Sequence, residues 1–243
     1  MSNPTAAMLV IGDEILSGRT RDSNMHFLAR QLNERGITLR EARIVSDQQA
    51  RIVVALNDLR MGHDHVFTSG GIGPTHDDIT ADAVAVAFGV GLDIRDDARA
   101  ILAEHYDRTG LELNAARLRM ARIPDGAELI ENPVSAAPGF TLGNVHVMAG
   151  VPAVFEAMVA SVLPKIAGGR ALYSQSLTIN RGEGEIAADL AVLASEYPQV
   201  SIGCYPFQRD GAFGATVVVR GENKAAVDTA LLRLSTLFPE ATA

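Results

Sequence analysis

Cysteine is almost absent: Cys204 is the only one in 243 residues. A single thiol excludes an intrachain disulfide and any cysteine-cluster metal site. Basic residues are scarce beside acidic ones, 21 against 29, for a formal charge of −8. A chain that grips nucleic acid concentrates positive charge on one face, and neither the total nor the local pattern does so. No run of 18 apolar residues occurs. The longest near-apolar stretch, Ala81 to Leu92, is broken by Asp82 and too short to span a bilayer. The start, MSNPTAAMLVIGDE, lacks the basic end and cleavage region of a signal peptide. The expectation is a cytoplasmic protein that binds neither nucleic acid nor membrane. Common catalytic signatures are missing too: there is no GK[ST], no G-x-G-x-x-G at the first turn, no H-E-x-x-H and no G-x-S-x-G.

What is present is 47% apolar residues in short, punctuated segments, at a length that fits one large domain or a large and a small one. AAMLVI at 6–11, closed by Gly12, reads as a buried strand. Ser23 is placed to cap a helix with Phe27, Leu28 and Leu32 on one face, stopped by Gly36. ITLREARIV is strand-like, and a helix follows from about Gln48 to Met61. HVFT is a third strand, with a helix expected from Asp78 to Phe88. This strand–helix alternation predicts a parallel sheet covered by helices on both faces. Residues 95–121 read mostly as helix broken at Thr109 and Gly110. Short strands are expected around Phe140 and across Val145 to Met148, then a helix over Ala153–Val162.

KIAGGR at 165–170 reads as a boundary, giving domains 1–168 and 169–243. The tail has the order β-α-β-β-α of a small α+β domain, with five basic and eight acidic residues from Ala171 on.

In an open parallel sheet, ligands lie beyond the carboxyl ends of the strands. Three loops leave strands there: Gly12 to Gly18, Val45 to Asp47, and Thr68 to Asp78. In the third, Gly70, Gly71 and Gly73 permit close backbone approach, Ser69 adds a hydroxyl, and Asp77 and Asp78 follow near a helix start. Exposed N–H groups in such a loop suit a phosphate, although glycine clusters also make plain turns and paired aspartates also make helix caps. Asp13, Glu14 and Asp47 are either solvated loop carboxylates or ligands for a heterocycle or for magnesium with phosphates. His76, two residues before Asp78, is the histidine best placed for catalysis. His63 and His65 read as surface or loop groups flanking the third strand. Cys204 reads as a packing residue on a strand.

GDEILSGRTRDSN at 12–24, TSGGIGPTHDDITADAVAVAFG at 68–89, ENPVSAAPGF at 131–140 and AGVP at 149–152 resemble the molybdopterin-binding MoaB/Mog superfamily. The nearer likeness is to the N-terminal part of CinA, competence/damage-inducible protein A. GEGE at 182–185 and IGCYPF at 202–207 extend it to the small second domain of stand-alone members. The resemblance implies a three-layer α/β fold around a mostly parallel sheet, with a pterin or adenine-nucleotide ligand over the strand ends.

By motif match the ligand loops are Gly12–Asp13–Glu14, Ser69 to Gly73, and Gly150 to Pro152, with Asn24 as a polar position after the first loop. The acidic positions of pterin-adenylylating relatives fall on Asp47 and Asp78. The implied function is binding of a pterin or nucleotide diphosphate. The alternatives are magnesium-dependent pyrophosphatase action on ADP-ribose, FAD or a related dinucleotide, and a non-enzymatic oligomeric interaction role. For hydrolysis, Asp77 and Asp78 would position the metal, with Asp47 or Glu14 orienting water. Relatives associate, so a homo-oligomer is expected. Three departures stand out. Ala149 replaces the proline of an L-P-G-V-P turn. Met120 falls where a glutamine is usual. The chain ends at Ala243 without the amidohydrolase domain of long CinA proteins, so nicotinamide-nucleotide deamidation is not expected.

Overall fold

The computed structural model describes residues 3–209 and 211–242. It divides into two compact units, Met1–Gly169 and Arg170–Ala243.

In the first unit, β1 (Thr5–Ile11) is followed by a short α1 (Asp13–Leu16), then α2 (Asn24–Glu34), β2 (Thr38–Val45), α3 (Gln49–Gly62) and β3 (His65–Ser69). Next come α4 (Thr80–Phe88), β4 (Leu92–Ile94), α5 (Asp96–Thr109), α6 (Ala115–Leu118), β5 (Arg122–Pro124) and β6 (Glu128–Ile130). β7 (Gly139–Leu142), β8 (Val145–Met148) and α7 (Pro152–Val162) complete it. Six strands form one sheet in the order β2-β1-β3-β8-β7-β6. β2, β1, β3 and β8 pair in parallel, while β7 runs antiparallel to both its neighbours. β4 and β5 make a separate antiparallel pair.

β1 is apolar along its length because both its faces are covered. Ala7, Leu9 and Ile11 enter a core with Ile52 and Leu56 of α3, Val84 of α4 and Leu102 of α5. Ala6, Met8 and Val10 enter the opposite core with Leu28 and Leu32 of α2 and Phe155 and Met158 of α7. The three layers follow from this alternation, and a one-residue slip of β1 would exchange its two faces. Pro152 occupies the first turn of α7, where its missing N–H costs nothing.

Several local expectations are corrected. Ser23 precedes α2 without making a side-chain cap, and the Asp22 carboxylate instead accepts the Met25 N–H at 3.1 Å. α4 begins at Thr80 rather than Asp78, and neither Asp77 nor Asp78 caps it. The stretch 95–121 is α5, a loop begun by left-handed Gly110, then α6 and a 3-10 turn at Arg119–Ala121. β4, β5, β6 and α1 carried no sequence signal, being three or four residues long.

The second unit contains β9 (Tyr173–Ile179), α8 (Glu183–Glu196), β10 (Ser201–Arg209), β11 (Ala212–Gly221) and α9 (Lys224–Leu237). Its antiparallel sheet has the order β10-β11-β9. Leu177, Ile179, Val217 and Val219 pack on Leu190, Leu193 and Leu234, forming a core of its own. Cys204 packs partly buried against it. Among the described residues no helix is long and apolar enough to cross a membrane.

Candidate functional site

The parallel strands of the first unit deliver their following loops to one end of the sheet, where a cleft of about 530 Å³ opens. Each wall has a local cause. After β1, the Gly12 N–H donates to Val45 O at 3.1 Å, tying the ends of β1 and β2 together. The Asp13 N–H then donates to Asp47 Oδ2 at 2.9 Å. Asp13 thus serves through its backbone, and its side chain is exposed outside the cleft lining. Glu14 and Asp47 do line it.

After β3, the Gly70 N–H donates to Met148 O at 3.1 Å. Thr80, buried at the start of α4, holds the turn from beneath: its hydroxyl donates to Gly70 O and its N–H to Gly71 O, both at 2.9 Å. Gly70 and Gly71 have φ of 106° and 69°. Both are backbone conformations that residues with a Cβ rarely adopt, so glycine is required at each. The N–H groups of Gly71, Ile72 and Gly73 have no acceptor among the described residues.

Asp78 closes this loop on itself. Its Oδ2 accepts the Thr75 N–H at 2.8 Å and the Thr75 hydroxyl at 2.6 Å. Asp77 stands exposed on the rim beside His76, whose ring is fully exposed. His76 lies outside the cleft lining, so the catalytic role considered for it has no geometric support. Arg119 enters an adjoining recess with Gly71, Gly73 and Asp78. One guanidinium N–H donates to Asp78 O at 3.3 Å, while its buried Nε has no partner.

Gly150 and Pro152 supply the wall after β8. Asn24 and Ser69 lie behind it rather than in the cleft, lining a recess of about 60 Å³. The buried Asn24 amide donates to Ser69 Oγ and Gly150 O, both at 2.8 Å, which fixes the β3 and β8 loops to each other. Its Oδ1 is buried without a partner.

The cleft therefore gathers Gly12, Glu14, Asp47, Gly70, Gly71 and Gly73 with Asp77, Asp78, Gly150 and Pro152. Sequence reading missed Thr20, Asn132 and Ser135, and noted Met120 only as a departure; all four line it. Asn132 shapes the loop around it. Its Oδ1 accepts the Val134 and Ser135 N–H groups, and its amide donates to Ala137 O at 2.8 Å. Its position directly before a proline was the available signal.

Glu14, Asp47, Asp77 and Asp78 are all in this lining, and no basic side chain is. The Asp47 carboxyl is pushed above its ordinary value, chiefly by burial; the Asp13 N–H works the other way, and the charges of Asp13, Glu14 and Asp77 add to the rise. Such crowding favours a cation or a shared proton. Among the described residues, however, no three His, Cys, Asp or Glu side chains are grouped to hold a metal. The metal pair Asp77–Asp78 is thus not a ready-made cage, since Asp78 is bound to Thr75.

Residues 7–168 match the family described as a probable molybdopterin binding domain, and residues 171–243 match the FAD synthase middle domain. A CinA-like protein of Geobacter metallireducens is 35% identical over 206 residues, 81% of this chain and 50% of that protein. A probable FAD synthase of Caenorhabditis briggsae is 28% identical over 96% of this chain and 49% of its own length. The chain thus spans about half of each of these two relatives. Among solved structures, CinA of Thermoplasma acidophilum, a protein of unknown function, is 35% identical with a TM-score of 0.62, over 68% of this chain and 99% of that one.

Proposed function

The chain belongs to the molybdopterin-binding domain family, on its CinA-like side, and we propose that the strand-end cleft binds a pterin or a nucleotide diphosphate. The observation that carries this reading is the run of unpaired N–H groups at Gly71, Ile72 and Gly73. Three successive free donors suit the oxygens of a diphosphate, and Thr80 fixes the loop that carries them through the Gly70 and Gly71 carbonyls. Arg119 adds positive charge beside them. Glu14 and Asp47, carboxylates of the same lining from the other two loops, suit the amino and ring N–H groups of a pterin or purine. FAD joins the ligands to be tried because the second unit matches the FAD synthase middle domain.

The lining of four carboxylates favours a second reading, hydrolysis of a dinucleotide pyrophosphate such as ADP-ribose or FAD. Magnesium retains waters and is commonly held by one or two carboxylates together with substrate phosphates, so it would arrive with the ligand rather than wait in the cleft. Self-association is part of the proposal and is read by light scattering.

The test is calorimetry with ADP-ribose, FAD and pterin, with and without magnesium, followed by chromatography. AMP formed by wild type and lost in Asp78→Ala would establish the pyrophosphatase reading. Saturable binding without products supports the binding protein. Failure of all three ligands to bind would remove both.

A further inference from the structure

A second cavity, of about 310 Å³, lies at the other end of the same sheet. It opens where β3 and β8 begin, whereas the first cleft lies where they end. Its size is that of a small-molecule pocket. His65, the first residue of β3, was read from sequence as a surface group; it is half-buried and lines this cavity together with His146 of β8.

His146 is a polar residue in the middle of a buried strand, only 3% exposed. Both its ring nitrogens are engaged: Nδ1 lies 3.0 Å from Thr141 Oγ1, and Nε2 lies 3.3 Å from Nδ1 of His65. The two rings stack with centroids 5.5 Å apart. Burial holds both imidazoles neutral, lowering His65 and taking His146 down to about 3. A neutral imidazole carries one N–H, so the chain Thr141–His146–His65 has two consistent proton arrangements. In one, the Thr141 hydroxyl donates to His146, His146 donates to His65, and His65 Nε2 bears a hydrogen. In the other, every direction reverses and His65 Nε2 becomes an acceptor. That nitrogen has no partner among the described residues, and the cavity is the space beside its ring.

The rest of the lining selects between these arrangements. Lys165 has no ion pair among the described residues and contributes a cation. Leu129, Ile130, Val162 and Ile166 contribute apolar wall. An anion beside Lys165 would select the arrangement in which His65 Nε2–H donates. Glu128, also in the lining and without an ion pair, would repel a second negative charge. We propose that this cavity is a separate binding site for a small monocarboxylate with an apolar body. Its carboxylate would lie between Lys165 and His65 Nε2, and its apolar part would rest on Ile130 and Val162.

The probe is 4-methylpentanoate, titrated into the full chain while the histidine Cε1–H resonances are followed by NMR, with acetate as the control lacking an apolar body. The His65 and His146 signals should shift saturably, with a dissociation constant of about 1 mM. Lys165→Met, an exposed substitution, should weaken binding about fivefold, and Glu128→Gln should strengthen it about twofold. Saturating ADP-ribose should not displace the probe. The proposal is overturned by no saturable shift, by acetate binding as tightly, by an unchanged affinity in Lys165→Met, or by displacement with ADP-ribose. Thermal melts of each variant show that it is folded. Because the reporters lie at the far end of the sheet, a failure here leaves the nucleotide reading of the first cleft standing, and the reverse also holds.

Discussion

Gly70 shows how little freedom the strand-end loop has. Its φ is 106°, and a Cβ there would come 2.2 Å from the Ile11 carbonyl oxygen. Both the strained dihedral and the backbone clash act on Gly70→Ala, which should lose at least about 2 kcal/mol in urea melts. Gly18→Ala, at φ 73° with open space around it, carries only the dihedral cost, about 1 kcal/mol. Equal losses in the two variants would contradict the close approach of the Gly70 loop to β1. Asp47 gives a pH signature whose sign is opposite to that of a salt-bridged acid. Its folded-state value is raised above the ordinary 3.8, so the folded protein binds the proton more tightly than the unfolded chain does. The favourable contribution is full below 3.8 and fades as pH rises through the folded value, leaving a constant penalty above it. Asp47→Asn keeps an acceptor for the Asp13 N–H and should therefore stabilise the protein at pH 7. The gain should be about 0.5 kcal/mol, because the carboxylate is partly solvated, and should shrink as the pH approaches 4. Melts across pH 4 to 8 would show it, and a variant less stable than wild type at pH 7 would overturn this account.

At the scale of elements, helix starts separate what a residue type suggests from what it does. Asn223 caps α9, accepting the Ala225 and Ala226 N–H groups at 2.9 and 3.3 Å. Asn223→Ala should cost about 1 kcal/mol, and Asn223→Asp should largely keep the stability. Ser23 is the same kind of residue before α2 but makes no cap, so Ser23→Ala should stay within about 0.5 kcal/mol. Denaturant melts of these variants test whether the capping contacts or the residue types matter. The long elements were legible because their apolar residues repeat: β1 as a continuous run, α3 through Ile52, Ala55, Leu56 and Leu59. β4, β5 and β6 were not, since three residues carry no period, and their pairing is decided by β7 and by one another. The loops that make the cleft were legible from glycines and acids placed just after strands. That Asp78 would spend its carboxylate on Thr75, or Asn24 fasten two loops from behind the cleft, depends on side-chain contacts that residue order does not fix. The pairing of His65 with His146 joins positions 81 apart, and was hidden for the same reason.

Considered as a whole molecule, the chain concentrates its strand-end cleft within one of its two units. The cleft lining runs from Ile11 to Val154, entirely inside Met1–Gly169. Both cores that support it, from Ala6 to Leu163, lie in the same unit. The second unit has its own core, drawn from Leu177 to Phe238. At 74 residues it is short, but three strands and two helices with a shared apolar interior meet the need for an independent domain. Two truncations follow. A fragment of residues 1–169 should fold cooperatively and bind whichever ligand the full chain binds within about twofold, because each cleft contact it needs is internal. A fragment of residues 170–243 should unfold cooperatively on its own, with a smaller denaturant slope in keeping with the smaller surface it exposes. Circular dichroism melts and calorimetry on the two fragments beside the intact chain decide this. If 1–169 folds yet loses ligand affinity tenfold or more, the second unit contributes to recognition, and a cleft complete within the first unit would have to be abandoned.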